Sequence, residues 1–500
     1  MADTKREIER KYESDDSGLP DLTGVAGVAA VIDKGVAHLD ATYYDTADER
    51  LHASSITLRR RTGGSDAGWH LKFPVAPGVR DEVQAPLSDA LPGDLAGLVR
   101  SRVRDVELAP VVRLRSDRDV RDLVDADGRV LAEVSVDAVR ARRLAGGDAD
   151  AQWTEIEVEL ADGVDPGFLD KVEKRLRKAG VRPSKSASKL ARALAETAPK
   201  KPAPASVEDP VTAGDHVLAY VRAQRDAIVE LDPAVRQDVE DSVHSMRVAT
   251  RRMRSTFKSF GKVLDRTVTD PIGDELKWLA GELGVDRDRE VLNERLSAAL
   301  DEVPHALVSG PVAERLSHWA GDSPGGASGR LIGVLDSRRY LALLDAMDGV
   351  LADPPLRKAA GKKPGKVLPK AVRKDFGKVS ALVEQALELE PGTDRDVAIH
   401  EARKKTKRTR YAAEAATPAL GKPAKALTKT MKSLQNLLGE HQDSVMARQT
   451  LRELSAVAHA AGESAFTYGL LYGREEQRAA AVEAELPGVW DGIRGGADVL

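Results

Sequence analysis

Over the first part of the chain, apolar and polar residues alternate with a period of two, the signature of β-strands. In REIERKYE (6–13), Glu7, Glu9 and Lys11 share one face, and Ile8, Arg10 and Tyr12 the other. TLRRRT aligns Thr57, Arg59 and Arg61. WHLKF sets His70 and Lys72 against Trp69, Leu71 and Phe73, and RDEVQ aligns Arg80, Glu82 and Gln84. VVRLR sets Arg113 and Arg115 against Val112 and Leu114. AEVSVD aligns Glu133, Ser135 and Asp137, and TEIEVEL aligns Glu155, Glu157 and Glu159. VDADGRV (124–130) is a hairpin signal. AETAPKKPAPASVEDP (195–210) then reads as a Pro/Ala-rich linker. Beyond it, Ala/Leu/Arg/Glu-rich segments of helical period run to the C-terminus, broken by PPLRKAAGKKPGKVLPK (354–370).

One alternating strand is explained by an antiparallel sheet with a solvated face. Seven are not, because these faces concentrate Arg and Lys on some strands and Glu on others. A closed barrel gives every strand an inside. With the charged faces inward, its lumen holds both signs: Arg and Lys for an anion of many oxygens, carboxylates for cations that bridge to it. Phosphoryl transfer, which depends on positioning and charge neutralisation, uses that equipment.

The helical half contains a repeat. VHSMRVATRRMRSTF, from Val243, aligns without gaps with IHEARKKTKRTRYAA, from Ile399, pairing His244 with His400, Arg247 with Arg403, Arg251 with Lys407, Arg252 with Arg408 and Arg254 with Arg410. ELGVDRD (282–288) matches LLGEHQD (437–443), with Gln442 standing where the first copy has Arg287. His244, Arg247, Arg251, Arg254 and Lys258 fall in one helical stripe beside an apolar one of Val243, Met246, Met253, Phe257, Phe260 and Leu264. A salt-bridge-laced solvated face is excluded by sign, since 244–262 holds six Arg/Lys and no acidic residue. Such a surface on a chain of net charge −4 points to a polyanion partner. Nucleic acid ranks below other polyanions, because the basic stripes lack aromatics for stacking.

Composition narrows the chemistry further. With no cysteine there is no disulfide framework and no thiolate site, so any metal relies on carboxylate oxygens suited to Mg²⁺ or Mn²⁺. The chain is too long for one ordinary core. Its polar start argues against a secretory signal, and it lacks a long apolar span, so a soluble cytoplasmic protein is expected.

The series ExExK (Glu7, Glu9, Lys11), YYDTADERL, LRRR, HLK, EVSVD and EIEVEL, in that order, resembles the CYTH family, the triphosphate tunnel metalloenzymes, over residues 1–196. The paired His-and-Arg/Lys helices resemble a CHAD domain, the conserved-histidine α-helical domain, over residues 211–500 after a linker at 197–210. The resemblance implies a multidomain fold: an eight-stranded antiparallel β tunnel (α+β), then an all-α domain of two pseudo-symmetric four-helix bundles. It implies that Lys11, Arg59, Arg61, Lys72, Arg113, Arg115 and Lys185 grip phosphate oxygens, with Lys189 competing for the place of Lys185. Glu7, Glu9, Asp137, Glu155 and Glu157 would hold Mg²⁺ or Mn²⁺ or orient the attacking water, with Glu82 and Glu133 as weaker candidates. Glu159, Arg80 and His70 are read as structural. His244, Arg247, Arg251, Arg254, Lys258, His400, Arg403, Lys407 and Arg410 would line a polyphosphate groove, with Arg252, Lys404 and Arg408 off its main stripe. The histidines could equally cap or pack their helices.

The function implied is hydrolysis of inorganic triphosphate or a related linear polyphosphate, with long-chain polyphosphate held by the helical domain; polyphosphate granules are the corresponding address. The alternatives are a non-catalytic polyphosphate-binding protein, or a tunnel enzyme acting on thiamine triphosphate or, as an adenylate cyclase, on ATP.

Overall fold

The computed structural model describes residues 3–14, 18–145, 149–197, 209–321 and 324–495. Of the expected linker, residues 198–208 lie outside these, as does the side chain of Arg287. The chain divides into two units, Met1–Ser206 and Val207–Leu500.

The first unit contains β1 (Asp3–Ser14), β2 (Ala30–Asp45), α1 (Arg50–Ala53), β3 (Thr57–Thr62), β4 (Gly68–Ala76), β5 (Val79–Pro86), α2 (Gly93–Val103), β6 (Ala109–Val124), β7 (Val130–Arg143), β8 (Asp150–Leu160), α3 (Gly167–Lys178), β9 (Arg182–Pro183) and α4 (Lys189–Thr197). The strands run β5-β4-β3-β2-β6-β7-β8-β1-β9, and a further β1–β5 pairing closes the first eight into an antiparallel ring. β1 makes the closure by changing partners: Asp3 to Ile8 pair with β5, Glu9 to Ser14 with β8. At the changeover Glu9 N–H donates to Gly78 O at 2.9 Å. Gly78 has φ +73°, and a Cβ there would stand 2.7 Å from Glu9 O, so only glycine fits the turn that meets β1.

The ring is charged inside and apolar outside. Outer residues Leu58, Trp69, Leu71 and Val83 pack under Leu95, Leu98, Val99 and Val103 of α2. Outer residues Tyr12, Val134, Ile156 and Val158 pack under Phe168, Leu169, Val172 and Leu176 of α3. At one end the interior itself is apolar. There Ala41, Tyr43, Leu114, Val139 and Trp153 meet Leu190, Ala193 and Leu194 of α4, which plugs the barrel.

The second unit is helical: α5 (Ala213–Arg236), α6 (Ser242–Ser259), α7 (Arg266–Glu282), α8 (Val285–Asp301), α9 (Val312–Ala320), α10 (Pro324–Leu335), α11 (Arg338–Ala352), α12 (Pro364–Glu388), α13 (Thr393–Leu420), α14 (Lys422–Ala460) and α15 (Phe466–Ile493). A capping box of Thr212 and Asp215 starts α5. Met246, Met253, Phe257, Phe260 and Leu264, the apolar stripe beside the basic one, are buried in a core shared with Ile399, Ala402, Ala412 and Ala416 of α13. A second apolar cluster joins α8 and α9 to α14 and α15. Among the described residues no helix is long and apolar enough to cross a membrane.

Candidate active site and polyanion groove

The barrel encloses a cavity of about 500 Å³ whose lining includes Glu7, Glu9, Lys11, Arg59, Arg61, Lys72, Glu82, Arg118, Glu157 and Lys189. Its wall of β1, β7 and β8 is acidic. Asp137, Glu155 and Glu157 each offer an oxygen within 4.8 Å of the others. Lys189 Nζ, from the first residue of the plug helix, lies 3.0, 2.8 and 2.7 Å from those three carboxylates. Arg118 donates to Asp137 at 2.8 Å and to Glu157 at 2.7 Å. Lys11 bridges Glu157 at 2.5 Å and Glu9 at 3.1 Å, and Lys72 holds Glu7 at 2.5 Å. Burial alone would raise Glu157, but Lys11, Lys189 and Arg118 outweigh it and hold the carboxyl well below its ordinary range. Glu7 differs: burial, with Glu82 nearby, outweighs Lys72 and pushes it up to about 7.

The opposite side, on β2 and β3, is basic. Arg59 reaches Tyr43 Oη at 3.4 Å and Glu82 at 3.7 Å, while Arg61 pairs with Asp66. The Nε of Arg59 and of Arg61 are buried without a hydrogen-bond partner. Burial, with Arg59 and Arg118 close by, pushes Arg61 down to about 9. Crowded guanidinium groups with unused donors are what an entering polyanion would satisfy.

In the helical unit, α6 and α13 together frame a second cavity of about 430 Å³. Arg251, Arg254 and Lys258 reach it from one helix, and His400, Arg403, Lys404, Lys407 and Arg408 from the other. Among the described residues none of Arg251, Arg254, Arg403 and Lys407 forms an ion pair with a carboxylate. Burial, then Arg403 and Arg251, pushes Lys407 down to about 7.

The CYTH domain profile matches residues 5–194 and the CHAD domain profile residues 219–452. Over 96% of this chain and 94% of theirs, Uncharacterized protein Rv2226 and Uncharacterized protein MT2285 of two Mycobacterium tuberculosis strains are 38% identical to it. The chain belongs to the CYTH–CHAD family. Among solved structures, PptA from Streptomyces chartreusis is similar at TM-score 0.48 and 22% identity, covering 57% of this chain and 100% of that one. The CHAD domain from the plant Ricinus communis is similar at TM-score 0.41 and 23% identity, covering 61% and 97%.

Within the CYTH unit, Glu7, Glu9, Lys11, Arg59, Arg61, Lys72, Asp137, Glu155 and Glu157 converge on one interior. Arg113 and Arg115 do not. They sit on the outer face of β6, paired with Asp40 at 2.6 and 3.3 Å. The inner face of β6 carries the even positions, Leu114 and Arg118 among them. Charge alone would turn Arg113 and Arg115 inward, but the plugged end of the lumen is apolar, so Val112 and Leu114 turn inward and the arginines out. Following that face four residues past Leu114 finds Arg118. Lys185 is exposed, and Lys189 stands in the lumen in its place. Tyr43 had no signal in the alternation. Among the residues read as structural, His70 Nε2 donates to Asp66 O and its Nδ1 lies beside Glu82 Oε1, each at 2.9 Å, and Arg80 donates to Ser55 O and Ala187 O.

In the CHAD unit two expected groove residues lie elsewhere, and a third, Arg247, borders the groove, where it adds to burial in lowering Arg251 and Lys407. His244 is exposed in a different cavity, beside Asp238, Glu240 and Glu282. Arg247 is tied to Asp288 by two bonds of 2.6 and 2.7 Å. Arg410 stacks on Tyr411, its Cζ 4.7 Å from the ring centre. Conversely Lys404 and Arg408, placed off the stripe, line the groove. The later part of the α6 stripe meets the earlier part of the α13 stripe at this cavity, so aligned positions of the two repeats do not line it alike. Arg252 is off the groove as expected, paired with Glu414 at 3.0 Å.

The lumen's oxygen donors are those of a hard divalent cation. Glu7, Glu9, Asp137, Glu155 and Glu157 would hold it, and at the last three it would have to displace Lys189. CYTH members are triphosphatases or cyclases.

Proposed function

We propose that the CYTH tunnel hydrolyses inorganic triphosphate or a related linear polyphosphate, and that the CHAD unit binds long-chain polyphosphate. The observation that supports this most is a closed interior joining unsatisfied guanidinium donors to a buried carboxylate cluster. Arg59, Arg61 and Arg118 would bind the phosphoryl oxygens. Incoming phosphate would also draw Lys11, Lys72 and Lys189 off their carboxylates, freeing oxygens for a divalent cation. That cation, Mg²⁺ or Mn²⁺, would neutralise charge on the phosphates. Attack by water forms a new P–O bond at the terminal phosphorus as the bridging P–O bond breaks to leave pyrophosphate. The water's proton needs an acceptor, which the carboxylates of the lumen would supply.

The test is phosphate release from tripolyphosphate, ATP, thiamine triphosphate and long-chain polyphosphate with Mg²⁺ or Mn²⁺. Release from tripolyphosphate, abolished in the Glu7→Gln/Glu9→Gln variant, is expected. Turnover of none of these substrates overturns the proposal, and turnover of an organic triphosphate alone replaces it with that substrate.

A further inference from the structure

Away from the basic groove, the CHAD unit holds a second mixed cluster. Asp396 in the first turn of α13, His441 on α14 and Glu483 on α15 bring one ligand atom each within 4.8 Å of the others. His441 is wholly buried, while Asp396 and Glu483 are half-buried. Its Nε2 lies 3.1 Å from Glu483 Oε1 and 3.4 Å from Asp396 Oδ1. The other oxygen of each carboxylate is taken: Arg395 donates to Glu483 Oε2 at 2.8 Å and Arg448 to Asp396 Oδ2 at 3.2 Å.

We propose that Asp396, His441 and Glu483 form a binding site for a divalent transition-metal ion. The spacing fits, since bonds of about 2.1 Å in a tetrahedral set put ligand atoms about 3.4 Å apart. The outer oxygens are fixed by arginines, the arrangement in which outer partners orient ligands. A buried imidazole can give Nε2 only one proton, yet two carboxylate oxygens face it. With metal on Nε2 the ring proton moves to Nδ1, which is buried and has no protein hydrogen-bond partner, so that N–H would need a water. One nitrogen and two oxygens favour Mn²⁺, Co²⁺ or Zn²⁺ over Mg²⁺ or Ca²⁺. Three protein ligands leave positions for water on the half-buried side. In the sequence the first repeat carries Asp286 where the second has His441.

The probe is Co²⁺ or Mn²⁺ alone, added to the full chain and followed by equilibrium dialysis. Binding at the tunnel carboxylates is told apart by comparison with His441→Gln, which leaves them intact. One equivalent of Co²⁺ is expected to be lost in that variant, together with its visible bands. Bound Mn²⁺ should show spin-echo modulation from an imidazole nitrogen. Losing one ligand should weaken binding by about tenfold or more. If His441→Gln does not fold, Asp396→Asn decides by the same criterion. No retained metal up to millimolar concentration, or unchanged affinity in the folded ligand variant, overturns the proposal.

Discussion

Lys189 Nζ lies 2.7 Å from Glu157 Oε1, and the same ammonium touches Asp137 and Glu155. It is buried, and burial would lower its pKa were it not for those carboxylates, which raise it above the ordinary lysine range. Lys189→Gln leaves three buried carboxylates short of a counter-charge. The CYTH unit should lose about 3–5 kcal/mol of stability. Turnover of tripolyphosphate should fall about a hundredfold or more, as on removal of one preorganised charge. Thermal denaturation and phosphate release check both. Unchanged stability would show that the carboxylates find another partner.

Arg118 and Arg113 share a strand and differ in face. Arg118→Gln should cost turnover on the same scale as Lys189→Gln. Arg113→Gln and Arg115→Gln remove only exposed pairs to Asp40, worth about 0–1 kcal/mol, and should leave kcat/KM unchanged. Comparable losses from the three variants would contradict the placement of β6.

Asp288 competes intramolecularly for Arg247. Asp288→Asn should release the guanidinium and tighten polyphosphate binding by about 1 kcal/mol, roughly fivefold, as for one unit charge in a wet site. The gain should shrink with added salt. Weaker binding in a titration would show that Asp288 orients Arg247 for the ligand instead.

Lys407 sets a pH dependence. Its pKa is depressed to about 7 by burial and by Arg403 and Arg251. A bound polyanion favours the ammonium, so binding should take up a proton above that pH, and affinity should fall as pH rises past 7. Without ligand the sign reverses: the fold disfavours the charged form, so its stability rises from about pH 7 towards the ordinary lysine range. Calorimetry in buffers of different ionisation enthalpy measures the uptake, and Lys407→Arg should remove it.

The alternation of Glu7, Glu9 and Lys11 with Ile8 and Tyr12 was enough to place those residues on opposite faces, because side chains on a strand repeat every two residues. So was the grouping of Asp137 with Glu133, and of Glu155 with Glu157. In the helical half, period and sign together marked α6 and α13 as basic on one side and packed on the other. Periodicity says which residues share a face; it does not say which face turns inward. That was decided by tertiary packing. β1 closes the ring by pairing with both β5 and β8, and α4 fills one end with apolar side chains. The plug turns Leu114 in and Arg113 out, and carries Lys189 rather than Lys185 to the carboxylates. Nor does spacing along the chain reveal contacts between helices. Asp396, His441 and Glu483 lie on three different helices, and only the way those helices pack brings their ligand atoms together.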